Sequence, residues 1–225
     1  MIGASVITLA KNLYSKDARF IFELLQNADD NDYSRANSAG VTPFVSFQVY
    51  RDRIIVECNE DGFTEANLRA ICNVGKSSKT GAQGYIGEKG IGFKSVFKVA
   101  WKVHIQSGDY SFCFKHRKGQ SGMGMISPEW EEPLEMLKAP LTRTTLFLHS
   151  EGDEVYEHTQ QRNIASQLNE LQPKMLLFLK NLKRISIHFY DEDDYEVSLA
   201  VLSVSYPDES NRVIVHKSET RKGDT

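Results

Sequence analysis

Six of the fifteen glycines fall at positions 75, 81, 84, 87, 90 and 92. The segment that holds them, NVGKSSKTGAQGYIGEKGIGFKS, cannot be an ordinary helix or a central strand. Each glycine loses more backbone freedom on ordering than any other residue, and none offers a side chain to pack. The chain must therefore build its regular elements on either side of a long loop. That loop ends where Gly87, Gly90 and Gly92 run into the apolar spacing of Phe93, Val96, Phe97 and Ala100. Small residues leading into a helix let backbone N–H groups face an anion, and the helix dipole adds favourable potential. The spacing here is GxxGxG. A Walker A loop would need glycine at position 70, which is Ala70, and a dinucleotide fingerprint would need it at position 95, which is Ser95.

On the N-terminal side, Phe20, Ile21, Leu24, Leu25 and Ala28 recur at helical spacing, which predicts a helix from Asp17, as N-cap, to Asp30. Strands follow at 45–50 and 54–58 around a turn at Arg51-Asp52, then a short helix after Thr64 with Leu68, Ile71 and Cys72 on its apolar side. Beyond the loop, GFKSVFKVA reads as a helix, and WKVHIQS and YSFCFKH as a hairpin around Gly108-Asp109. Residues 116–140 read as loop and 144–150 as a strand. Helices are predicted over 157–171 and 173–182, with Pro173 opening the second. RISIHFY, EVSLAVLSVSY and RVIVHKS read as closing strands, and the tail ETRKGDT as frayed. Helices combined with antiparallel hairpins imply an α+β fold rather than a doubly wound parallel sheet.

Composition narrows the function. A net charge of −3 over 225 residues gives no general attraction to nucleic acid or to an anionic membrane, and no run approaches a membrane span. The N-terminus lacks the pattern of a signal peptide, so an intracellular chain, cytoplasmic or nuclear, is expected. Three cysteines, Cys58, Cys72 and Cys113, form no CxxC pair and read as buried thiols. The six histidines have no metal-ligand spacing, and Trp101 and Trp130 read as packing residues.

Chemistry enters with Glu23, Asn27 and Asp30 in the first helix. Their i, i+4, i+7 spacing confines them to an arc of about 60°, beside the apolar face. ELLQNADD is followed by NEDGF, then by the Gly/Ser/Lys loop, then by GxxGxG before a helix, then by a threonine at the head of a strand. This order resembles the Bergerat-fold ATPases of the GHKL superfamily, and within it the NO VEIN-like and sacsin-like ATPase domains. The resemblance covers residues 10 to 150.

The resemblance implies a Bergerat two-layer α/β sandwich, with a mixed, mostly antiparallel sheet and helices on one face. Residues 1–225 would form a single domain with its nucleotide-binding core at about 10–150. ATP or ADP and Mg²⁺ would be the ligands. A homodimer, or the other domains of a larger chain, would be the partners.

By the same resemblance, Asn27 supplies the magnesium ligand, Glu23 orients and deprotonates the attacking water, and Asp30 supports them. Gly87, Gly90 and Gly92, with Ile91 and Phe93 in the same stretch, wrap the phosphates, and Lys89 and Lys94 add charge. Residues 75–86 form a lid, with Ser77, Ser78 and Lys79 on its phosphate side. Thr144 helps to hold adenine, although the family shows Gly-Thr where this chain has Arg143-Thr144. The family's adenine-reading DxGxG is altered to Asn59-Glu60-Asp61-Gly62-Phe63. Anchoring on Gly62 makes Glu60 the acceptor for the adenine amino group, with Asn59 and Asp61 as alternatives. The retained Glu23 favours a slow ATPase. The altered DxGxG favours the alternative, a module that senses ATP or binds other proteins with little turnover.

Overall fold

The computed structural model describes residues 19–73, 95–116, 128–133, 135–138, 140–150, 152–207 and 213–222. Helices α1 (Arg19–Asp29) and α2 (Ser34–Ser38) precede strands β1 (Phe44–Val49) and β2 (Arg53–Cys58). Helix α3 (Glu65–Asn73), a 3-10 turn (Ser95–Lys98) and strands β3 (Ala100–Ser107), β4 (Tyr110–Lys115), β5 (Glu129–Trp130) and β6 (Thr142–Leu148) follow. Helix α4 (Glu154–Asn169) and a second 3-10 turn (Pro173–Leu177) lead to β7 (Arg184–Tyr190), β8 (Glu196–Ser205) and β9 (Ile214–Arg221). The strands form one nine-stranded sheet in the order β5-β4-β3-β6-β2-β1-β7-β8-β9. Every adjacent pair is antiparallel except β1 and β7, so the fold is α+β with a mixed sheet.

Alternation along the strands divides the sheet into two unlike faces. Val45, Phe47, Ile54, Val56, Val103, Ile105, Phe112, Leu146, Ile185 and Ile187 lie on one face and are all buried. They form one core with Phe20, Ile21, Leu24 and Leu25 of α1 and with Ile164 and Leu168 of α4. The opposite face carries polar pairs across the strands. Gln48 Nε2 donates to Glu57 at 3.0 Å, and Arg143 Nε donates to the same carboxylate at 2.6 Å. His188 Nδ1 lies 2.6 Å from Glu196.

Departures from the sequence reading have local causes. The predicted helix at 173–182 is only one 3-10 turn, Pro173–Leu177. The amides that would continue it are taken by Asp29, whose carboxylate accepts from Lys180 N at 2.7 Å, Asn181 N at 2.8 Å and Leu182 N at 2.9 Å. The described part of GFKSVFKVA is likewise a 3-10 turn, because Ala100 already begins β3. Val96, Phe97 and Ala100 are nonetheless buried as expected. Helix α4 starts three residues early, where Asp153 Oδ1 accepts from Val155 N at 2.9 Å. The tail does not fray at Glu219–Arg221, which pair with Ser198–Ala200 as the end of β9. The short strand β5 lies within the stretch read as loop, and β6 begins two residues before the predicted start. Cys58 and Cys113 are buried free thiols, and burial raises both. No helix among the described residues is long and apolar enough to cross a membrane.

Candidate functional site

The core face of the sheet turns polar towards one end, with a single hydroxyl, Thr144, in the row before the last. Val56, Thr144, Ile105 and Phe112 are neighbours across β2, β6, β3 and β4. The next row, in the same register, is Cys58, Thr142, Ser107 and Tyr110. Hydroxyls thus replace aliphatic groups where β2 and β3 end and β6 begins. Ser107 is 0% and Thr142 5% exposed, and their hydroxyl oxygens lie 2.6 Å apart.

The segment leaving β2 folds over this row, and each residue in it has a distinct task. Asn59 ties the segment to the start of β1, with Oδ1 accepting from Phe44 N at 2.8 Å and Nδ2 donating to Thr42 O at 3.1 Å. Asp61 faces away and secures α2, accepting from Ser34 N at 2.9 Å and Arg35 N at 2.8 Å. Slight burial acts in the opposite sense, but these amide donors hold the Asp61 carboxyl below its ordinary value. Gly62 has φ +91°, a conformation that side-chain-bearing residues rarely adopt, and a Cβ there would sit 3.4 Å from Ser107 Oγ. Phe63 N donates to Ser107 Oγ at 2.9 Å.

Glu60 alone of these points into the core, 3% exposed. Burial raises its pKa and the nearby Asp61 charge adds to this, while hydrogen bonds with Thr142 and Asn31 act in the opposite sense. Among the described residues its Oε1 has no hydrogen-bond partner. A buried acceptor without a donor is costly, so native structures leave few of them.

Helix α1 ends at this site. Tyr33 O–H donates to Ala28 O at 2.8 Å, and its phenolic oxygen also meets the thiol of Cys58. Asn31 reaches Glu60, and Asp61 N donates to Asp32 O at 2.9 Å. Glu23 and Asn27 are half-buried on α1, and Asp30 is exposed at its end. The structure therefore brings the residues that follow α1, Asn31 and Asp32, to Glu60 and Asp61. Thr144 lies one row further into the sheet, and Thr142, paired with Cys58, is the threonine that meets Glu60. Asp17, Ser77, Ser78, Lys79, Gly87, Lys89, Gly90, Ile91, Gly92, Phe93 and Lys94, with the predicted lid at 75–86, lie outside the described residues.

Sequence reasoning missed Ser107, Thr142 and Asp29. Ser107 carried a signal, as a polar residue completing the buried alternation Val103, Ile105, Ser107. Thr142 and Thr144 share a face by parity, so only strand register separates them. Nothing in NADD distinguished Asp29, which clasps residues 180–182, from Asp30.

Residues 7–117 match the family model described as the Sacsin domain. The chain is similar to Protein NO VEIN of Arabidopsis thaliana, 39% identical over 196 residues, which covers 82% of this chain and 7% of that protein. It is 27% identical to Sacsin of Homo sapiens over 236 residues, or 87% of this chain and 5% of that protein. To Chaperone protein HtpG of Chlorobium phaeobacteroides it is 29% identical over 143 residues, or 51% of this chain and 22% of that protein. The chain thus spans a small part of each relative's length. These likenesses support a GHKL-like relationship.

Proposed function

We propose that this module binds adenine nucleotide with Mg²⁺ and hydrolyses ATP slowly, on a Bergerat-type sandwich of the GHKL kind. One observation carries the reading: the buried Glu60 carboxylate, whose Oε1 lacks a hydrogen-bond partner among the described residues, beside Thr142 and the end of α1. The exocyclic amino group of adenine is a donor and satisfies that oxygen, whereas a 6-oxo purine would set acceptor against acceptor. Glu60 takes this role because Asn59 and Asp61 are engaged with backbone amides. Thr142 accompanies it in place of Thr144.

The remaining residues suit such a ligand. The open acceptor fits a base amino group, and Gly62 keeps the turn beside it free of a side chain. Asn27 would hold Mg²⁺ through its amide oxygen. The ion would neutralise phosphate charge. Glu23 would orient and deprotonate the attacking water, Asp30 would support the pair, and the GxxGxG of Gly87, Gly90 and Gly92, outside the described residues, would take the phosphates as the resemblance implies. The similarity to a chaperone protein and to NO VEIN over most of this chain supports the same reading.

Calorimetric titration with ATP and ADP, with and without Mg²⁺, followed by a phosphate-release assay, tests the proposal. Glu60→Ala is expected to abolish binding. Glu23→Ala is expected to retain binding and to lose about 10²–10⁴ in turnover. A wild-type chain that binds neither nucleotide overturns the reading. Turnover unchanged in Glu23→Ala overturns the base assignment.

A further inference from the structure

We propose that Ser107 is a positioning residue for base recognition: it pins the turn after Glu60 and fixes the direction of a hydroxyl chain ending on that carboxylate. The inference rests on the adenine-binding reading above and adds to it a residue at the far end of β3, outside every motif in the sequence.

The argument is an accounting of hydrogens. A serine hydroxyl has one hydrogen to donate and an oxygen that can accept. Ser107 Oγ accepts from Phe63 N at 2.9 Å, a bond whose direction is fixed because an amide can only donate. Thr142 Oγ1, 2.6 Å away, is the remaining partner for the Ser107 hydrogen among the described residues. Thr142 then has its own hydrogen to give, and Glu60 is its acceptor. The order is therefore Phe63 N–H to Ser107, Ser107 O–H to Thr142, and Thr142 O–H to Glu60. The reverse order would leave the Ser107 hydrogen unmatched at a residue that is 0% exposed.

Direction matters because it makes Glu60 an acceptor rather than a donor. Thr142 and Asn31 hydrogen-bond to Glu60, Asp61 acts on it through its charge, and Tyr33 and Cys58 lie near enough to feel the Glu60 charge. None of these is a cation. Burial and the Asp61 charge favour a protonated Glu60, which would donate and would no longer distinguish a 6-amino from a 6-oxo purine by charge. The hydroxyl chain opposes that protonation. Ser107 also meets the turn itself, through Phe63 N and the close approach at Gly62.

The test compares ATP with ITP, which replaces the 6-amino group by a 6-oxo group, by calorimetry on the whole chain across an acid-to-neutral pH series. The wild type is expected to prefer ATP. Ser107→Ala is expected to lose about tenfold or more of that preference, from one buried hydrogen bond undone. The acid loss of ATP binding moves to higher pH, since a carboxylate that loses a donor protonates more readily. The ATP-to-ADP affinity ratio and the Mg²⁺ dependence stay as in the wild type.

Thr142→Val, nearly isosteric, cuts the same chain without touching the Phe63 amide, and gives the same change if Ser107→Ala does not fold. Either folded variant keeping the wild-type ATP preference and pH profile overturns the proposal while the adenine reading stands. Equal losses of ATP and ITP affinity also overturn it, by reducing Ser107 to a purely structural role. A wild type that binds neither nucleotide overturns both.

Discussion

Glu60 is held in a state that the fold itself disfavours. Its carboxyl is buried, its pKa is raised chiefly by that burial, and one oxygen is left without a donor among the described residues. The unfolded chain ionises Glu60 at the ordinary glutamate value, and the folded chain only at higher pH. Its contribution to stability is therefore complete below the unfolded value and is lost as pH rises through the folded one. Glu60→Gln does not titrate, so it is expected to melt higher than the wild type at neutral pH, with the gap closing as the solution is acidified. Melting temperatures of the two proteins over an acid-to-neutral series check this, and a gap independent of pH would refute it. Anchoring on Gly62 put Glu60 first but left Asn59 and Asp61 as alternatives, because the three are polar neighbours in a turn and only their partners tell them apart. Glu23 and Asn27 do share one regular element, whose period places them on one stripe as the spacing predicts, while Asp30 falls just past its last residue, Asp29.

At the scale of elements, the strands were read well because a half-buried strand writes its face into every second residue. Val103, Ile105 and Ser107 do this in β3, as Ile54 and Val56 do in β2. Failures came where a distant side chain competes with local propensity. Residues 173–182 have a helical pattern and Pro173 at a helical start, yet Asp29 takes three of the amides that a continuing helix would use. Asn181 reinforces the clasp, its Nδ2 donating to Asp29 O and Asn31 O at 2.9 Å each. Asp29→Ala strips three backbone amides of their acceptor, the one at Leu182 buried and the other two part-buried, and a loss of about 2–3 kcal/mol of stability is expected. Denaturant unfolding with an unchanged slope and a lower midpoint is the expected signature. A midpoint equal to the wild type would show that water replaces the carboxylate without cost.

Across the whole molecule, the site draws on α1, the β2 end, the β6 start and the β3 end, so its occupancy bears on the entire folding equilibrium. A ligand at a hundred times its dissociation constant stabilises the native state by about 2.7 kcal/mol. Mg²⁺ with ATP is therefore expected to raise the melting temperature, and Asn27→Ala to remove the Mg²⁺-dependent part of that rise. A rise that survives intact in Asn27→Ala would move the ion elsewhere.

The parallel pairing of β1 with β7 sets Phe44 against Arg184, and the Asp29 clasp on Lys180 spans 151 positions beside it. Strands β1 to β4 and β6 can find one another by shorter excursions of the chain, whereas β7, β8 and β9 join only when this long circuit closes. Because the entropy of closure grows slowly with loop length, the circuit costs little in final stability and much more in time. Strand β1 and the clasp on α1 thus form a seam between an earlier and a later half of the sheet. Val45, Phe47, Ile185 and Ile187 line that seam and are at most 2% exposed, so once closed it is expected to open only with the fold as a whole.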